Sequence, residues 1–241
     1  MTNHRQEKTS PEQVTLTIVV PALNEENDLA NSVQAAISAA QSLRLDFEIL
    51  IIDDGSTDAT ALIADELASR DRRIRAISNG RNLGLGGSYK IGIREARGDY
   101  LFWVPADDAH PVAGLAQVLE KLGETDMVIP APCNDEVRAG HRRFISKSFT
   151  FLINRMFKLD LPYYNGLVLH RTALLRGIDI KTNSFAFQAE AIVKLLSQGQ
   201  AYVTIPYEIK SEQRKTGKVF VLKNIFAVCL ALARLFAALR L

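Results

Sequence analysis

The run Ile49-Leu50-Ile51-Ile52, closed by Asp53-Asp54-Gly55, most narrows what this chain can fold into. A strand with one wet face alternates apolar and polar residues, so an unbroken apolar run ending in a turn implies a strand covered on both faces. The strand reads from Phe47 to Ile52, and four more runs match it: Thr15 to Val20, Ile74 to Ser78, Tyr100 to Val104 and Met127 to Pro130. Between them, Glu25 to Leu43, Asp58 to Arg70, Gly86 to Arg97 and Val112 to Leu122 carry helical spacing with few breakers. This alternation predicts an α/β domain, a Rossmann-like, mostly parallel sheet flanked by helices. In such sheets ligands sit beyond the carboxyl ends of the strands, so the loop after each strand is where chemistry should be sought.

Length and charge bound the rest. With 241 residues, 47% of them apolar, the chain can bury one full core. It divides into a polar, disordered lead-in (1–13), a catalytic domain (14–218) and a terminal amphipathic segment (219–241). The lead-in lacks the apolar core of an export signal, which predicts a protein of the cytoplasmic side. A net charge of +2 lacks the basic excess of a nucleic-acid binder, so no nucleic-acid partner is expected. Cys133 and Cys229 stand in no metal-ligand or redox spacing and read as reduced thiols.

The strand ends hold the candidate chemistry. After the first strand comes Pro21-Ala22-Leu23-Asn24-Glu25-Glu26, where proline stops the strand and Asn24 can cap the next helix or meet a ligand. After the second, Asp53 and Asp54 can accept hydrogen bonds from a base or ribose, while Asp58 reads as a helix cap. The third leads into Gly80-Arg81-Asn82-Leu83-Gly84-Leu85-Gly86-Gly87-Ser88, whose backbone near Gly84 could approach a pyrophosphate, with Arg81 adding charge. The fourth ends in Pro105-Ala106-Asp107-Asp108-Ala109-His110-Pro111; Asp107 and Asp108 are hard oxygen ligands suited to Mg²⁺ or Mn²⁺ on a diphosphate, or else acids of a solvated turn. The four histidines read as bystanders.

Two later segments are amphipathic. Arg142 to Leu159 mixes basic residues with Phe144, Phe149, Phe151 and Phe157, and reads either as a helix at a membrane surface or as one packed on the core. In Val219 to Leu241, Lys223, Arg234 and Arg240 interrupt the apolar run, which favours a helix lying in the interface or forming a homo-oligomer over one that spans the bilayer.

Together these loops resemble the family 2 glycosyltransferases of GT-A fold, specifically the dolichol-phosphate mannose synthase and polyprenyl-phosphate glycosyltransferase branch. The resemblance runs from about Thr17 to Lys218. It rests on Val20-Pro21 with Asn24-Glu25, Asp53-Asp54-Gly55-Ser56, Arg81 to Gly86, Gly98-Asp99-Tyr100 and the Ala106-Asp107 to Pro111 loop. Downstream, Arg142-Arg143-Phe144-Ile145-Ser146-Lys147, Phe187-Gln188-Ala189-Glu190 and Arg214-Lys215-Thr216-Gly217-Lys218 resemble the branch's membrane-interface and closing motifs.

The resemblance implies an inverting transfer of sugar from a GDP- or UDP-linked donor to a polyprenyl or dolichyl phosphate at the membrane surface. It implies that Pro21, Asn24, Glu25, Asp53, Asp54, Arg81 and Gly84 hold the nucleotide. Arg142, Arg143 and Ser146 would meet the acceptor phosphate, and Asp107 with Asp108 the metal. Arg214 and Lys218 would join Asp107 as catalytic residues at the diphosphate. Where the family's metal motif begins with an acid this chain has Pro105, and Ala109 stands where glutamine is usual; the acceptor-side stretch reads Pro162-Tyr163-Tyr164-Asn165-Gly166 without the family's aspartate. Two other readings stay open: a transferase with a soluble or polymeric acceptor, and a catalytically silent nucleotide-sugar-binding protein.

Overall fold

The structure, a computed structural model, describes residues 15–210 and 222–240; the expected lead-in and the stretch holding Arg214 and Lys218 lie outside the described residues. One sheet contains β1 (Thr15–Ala22), β2 (Asp46–Asp53), β3 (Ile74–Ser78), β4 (Tyr100–Trp103), β5 (Met127–Pro132), β6 (Leu169–Arg171) and β7 (Tyr202–Tyr207). Their spatial order is β3-β2-β1-β4-β6-β5-β7, with β6 antiparallel to both neighbours and every other pairing parallel. The helices are α1 (Leu29–Ser42), α2 (Thr60–Arg70), α3 (Leu85–Glu95), α4 (Val112–Leu119), α5 (Gly140–Phe157), α6 (Thr172–Arg176), α7 (Phe187–Ser197) and α8 (Leu222–Arg240).

The sheet is covered on both faces, as the apolar run in β2 requires. Leu16, Ile18 and Val20 of β1 pack with Val33 of α1 and Leu115 of α4, while Val19, Leu50 and Ile52 pack with Tyr89 of α3 and Ile192 of α7. Burying each large aliphatic side chain contributes about 1.5–3 kcal/mol. Tyr89, Trp103 and Phe187 close the second core as a ring cluster with centroids 4.8–5.1 Å apart.

All five strands that the alternation predicts are present. β6 and β7 carry no such signal: β6 has three residues, and β7 alternates exposed with half-buried positions along the sheet's edge. Pro206, which has no N–H to donate, fits such an edge strand.

His170 of β6 is fully buried, and neither ring nitrogen has a partner among the described residues. Burial pushes its pKa down to about 3, so the ring is neutral in the fold. The unfolded chain therefore binds the proton first, and this site's contribution to stability is present above about pH 6.5 and lost as the pH falls toward 3. Urea denaturation of wild type should lose about 1.4 kcal/mol per pH unit from this site between about pH 6 and 4. In His170→Leu that slope should shrink; an unchanged slope would place the acid sensitivity elsewhere.

α5 divides its apolar residues between two sides. Ile153 is buried and Phe149, Met156 and Phe157 pack against the second core, whereas Phe144 and Phe151 are each 72% exposed, so the helix has both a core-packed side and an open apolar one. α8 lies beside it, with Phe236 edge-on to Phe157 at 5.9 Å and with Leu232 and Leu235 buried in the second core. Most of the α8 stripe is thus covered within the chain, leaving Leu230 and Leu239 exposed. Among the described residues no helix is long and apolar enough to cross a membrane.

Candidate functional site

Loops from β1, β2, β3 and β4 meet at the carboxyl edge of the sheet. Asp53 at the end of β2 and the acid loop after β4 flank β1, which puts them about 10 Å apart on one edge. Asp53 is buried, yet among the described residues its carboxylate accepts only from Ser56 N–H (3.0 Å) and Ser78 Oγ (3.2 Å), which leaves lone pairs for a ligand.

The loop after β1 is locked to the loop after β2. Pro21 lies inside β1 opposite Ile52, and Asn24 adopts a left-handed backbone with φ 55°. Its Oδ1 accepts from Thr57 N–H at 2.8 Å and its own N–H donates to Ser56 Oγ at 3.0 Å. Asn24 therefore does not cap α1, which begins after Asp28. Glu25 N–H donates to Thr60 Oγ1 at 2.8 Å, and the Asp58 carboxylate accepts from Glu26 N–H and from Thr60.

Asp54 and the glycine loop answer to each other. The buried Asp54 carboxylate accepts from Asn79 Nδ2 (2.9 Å), Leu83 N–H (2.8 Å) and Gly84 N–H (2.9 Å). Gly84 N–H is thus taken, and a Cβ on Gly86 would come within 2.6 Å of the Thr182 carbonyl oxygen. The close approach that Gly84 and Gly86 permit is to the 182–183 backbone. Glu190, buried at the start of α7, fixes that backbone by accepting from Lys181 and Thr182 N–H groups, both at 2.9 Å. Arg81 stays exposed at the loop's tip.

In the acid loop the two aspartates part ways. Asp107 is exposed, and among the described residues its carboxylate accepts only from Ala109 N–H at 3.2 Å. Asp108, left-handed at φ 51°, donates its N–H to Ser32 Oγ at 2.8 Å and pairs through Oδ1 with Lys210 Nζ at 2.6 Å. His110 sits behind them, and burial depresses its pKa despite the opposing field of Asp107, which keeps the ring neutral. Tyr207, packed on His110, has its pKa raised chiefly by burial and further by Tyr163 and Asp107.

A metal would find a thin donor set here. Among the described residues no three His, Cys, Asp or Glu side chains converge, Pro105 offers no oxygen, and Asp108 is tied to Lys210. That set fits an ion of the Mg²⁺ or Mn²⁺ kind, which keeps waters and takes one or two carboxylates plus substrate phosphate oxygens, with Asp107 as the free ligand.

On the acceptor side, Arg142 and Arg143 occupy the first turn of α5 and Ser146 the second, all half-buried. Among the described residues Arg143 makes no side-chain hydrogen bond or ion pair, whereas Arg142 is engaged within the chain. A cavity of about 630 Å³ opens elsewhere, at the amino-terminal end of β2, lined by Arg72, Arg73, Arg75 and Arg97. Arg73 and Arg75 there are paired with Asp71 and Glu48, so it reads as a solvated, ion-paired edge rather than a reaction centre. Lys210 and Ser32 carried no sequence signal for a role at this edge, because each acts through a partner at least 76 positions away.

Comparison with known proteins agrees with this geometry. Residues 17–177 match the model of glycosyl transferase family 2, and the chain belongs to that family. It is 26% identical over 204 residues to an undecaprenyl-phosphate 4-deoxy-4-formamido-L-arabinose transferase of Edwardsiella ictaluri, covering 84% of this chain and 62% of the relative. It is 26% identical over 225 residues to the glycosyltransferase AglD of Haloferax volcanii, covering 89% of this chain and 36% of the relative. The chain thus spans under two thirds of either relative. Among solved structures, glucosyl-3-phosphoglycerate synthase of Mycobacterium tuberculosis with Mg²⁺ and UDP superposes with a TM-score of 0.69 at 15% identity, covering 93% of this chain and 80% of that one. The fold is GT-A, as the resemblance implied.

Proposed function

We propose that this chain transfers a sugar, with inversion, from a GDP- or UDP-linked donor to a polyprenyl phosphate at a membrane surface, bound peripherally on the cytoplasmic side. The observation that carries the reading is the pairing of two features. Asp53 and Asp107 open on one sheet edge, and a basic helix with exposed Phe144 and Phe151 follows β5. Large exposed aromatics beside arginines fit a lipid surface better than water. The undecaprenyl-phosphate transferases among the relatives support the choice of acceptor.

In this reading Asp53 and the Pro21 to Glu25 loop hold the nucleoside, with Arg81 beside the phosphates. Asp107 would hold the divalent ion, which when bound supplies positive charge to the diphosphate. Arg142, Arg143 and Ser146 position the lipid phosphate. One of its oxygens forms the new bond to the anomeric carbon as the C–O bond to the diphosphate breaks, and the nucleoside diphosphate leaves with the electron pair. A phosphate monoester is largely ionised near neutral pH, so no side chain need remove a proton, and the neutral His110 has no base role to fill. Arg214 and Lys218, beyond the described residues, would complete the charge around the leaving group.

The test is turnover of a nucleotide-sugar panel with polyprenyl phosphate against free saccharides, with Mg²⁺ or Mn²⁺. Arg143→Gln should raise the lipid acceptor's KM about tenfold with little change in the donor's KM, as expected for a lost charge-assisted hydrogen bond. An unchanged acceptor KM, or preference for a free saccharide, would sink the lipid-phosphate reading.

A further inference from the structure

The acid loop bears two adjacent carboxylates but offers only one of them, and the reason is a lysine from the far end of the sheet. We propose that Lys210 withholds Asp108 from the divalent cation, so that the ion is gripped by Asp107 alone and its affinity is set by competition between Lys210 and the metal. The inference rests on the donor-site reading above and adds to it a residue that tunes metal affinity.

Lys210 is placed by contacts that do not depend on its charge. Its backbone N–H donates to the Ala109 carbonyl at 3.0 Å, tying the end of β7 directly to the acid loop. The preceding residue, Ile209, is held twice by Asn134: its carbonyl accepts from Nδ2 at 2.8 Å and its N–H donates to Oδ1 at 3.0 Å. The backbone therefore brings the ammonium to the loop, and the side chain needs only to close the last gap to Asp108 at 2.6 Å.

Asp108 is fixed from its own side as well. Its φ of 51° is a conformation that an aspartate adopts at some cost, and the Ser32 hydroxyl holds its N–H. A carboxylate so placed, with Lys210 on one oxygen, carries no net charge toward an incoming ion. Asp107, one residue earlier, has no ion-pair partner among the described residues and accepts only the Ala109 N–H. Adjacent acids thus differ in what they offer a metal, and the difference is made by Lys210.

The consequence is a sign. If Lys210 merely braced the loop, removing its charge would loosen the metal site; if it competes for Asp108, removing it tightens the site. Mn²⁺ binding to the whole protein in the presence of UDP, followed by the electron paramagnetic resonance signal of free Mn²⁺, reads this directly without turnover. Lys210→Met should bind Mn²⁺ roughly fivefold or more tightly, the size expected for releasing one carboxylate from a partly exposed ion pair. Water-proton relaxation should show fewer waters on the bound ion, because a protein oxygen has replaced one. The Lys210→Met/Asp108→Asn double variant, whose local net charge equals that of wild type, should return to wild-type affinity.

Unchanged or weaker Mn²⁺ binding in Lys210→Met overturns the proposal, as does a double variant that keeps the gain. Asp107→Asn is the control for the reading beneath it: undiminished Mn²⁺ binding there would move the metal off this loop altogether. Lys210 is partly exposed, and an unchanged melting temperature in Lys210→Met shows that the comparison is between folded proteins.

Discussion

Asp107→Ala is expected to lose turnover by about 100- to 1,000-fold while melting at the wild-type temperature. The two halves of that expectation come from the same observation. Asp107 is exposed and accepts a single hydrogen bond from within its own turn, so its carboxylate does almost nothing for the fold. In the proposed function its value lies in what it would hold: a divalent ion on Asp107 would supply positive charge to the departing diphosphate. The loss should fall on kcat at saturating donor, and raising Mn²⁺ should recover part of it if residual ligands remain. Near-wild-type turnover would remove the metal role from this residue and leave the acid loop as a solvated turn.

Asp54→Ala should show the opposite pattern, a loss of stability of about 3 kcal/mol or more before any statement about activity is possible. The buried carboxylate accepts from Leu83 and Gly84 N–H groups and the Asn79 amide; alanine leaves Leu83 N–H without its acceptor and reduces Gly84 N–H and the Asn79 amide to Asn82 Oδ1 and Ser88 Oγ, while emptying a buried polar site. Because Gly86 in turn donates to the Asn183 carbonyl at 3.1 Å, loosening the glycine loop should also release the 182–183 backbone from its seat. Urea denaturation measures the first effect, and amide exchange at Leu83 and Gly84 the second. A variant as stable as wild type that fails to bind nucleotide would instead make Asp54 a ligand residue.

These two aspartates show how far the sequence could be read. Each stands in the loop after a predicted strand, and the rule that ligands gather at carboxyl edges points to both loops. What the rule does not contain is the number of hydrogen bonds each carboxylate already accepts. Asp54 accepts three and Asp107 one, a difference set by which loops fold back on them. The glycine-rich loop shows the same limit, since room for a close approach is legible in glycine but the approaching partner is not. Here that partner is the 182–183 backbone, about a hundred residues along the chain.

The short elements escaped for a different reason. Three residues of β6 cannot display a period, and they are a strand only because β4 and β5 stand on either side to pair with them. α5 was legible as amphipathic but not as to which way it faced, because a stripe of Phe and Ile looks the same whether it meets a core or a lipid. Packing gave it two sides, burying Ile153 and seating Phe149 and Phe157 on the core while leaving Phe144 and Phe151 outside.

By itself, then, the sequence determined the parallel sheet, its covered faces and the edge where acids collect, since each follows from local periodicity and from residues that end strands. Only the tertiary structure decided which of those acids is free. A carboxylate's availability depends on donors delivered from distant parts of the chain, and Lys210 reaches Asp108 across 102 positions that no local pattern spans.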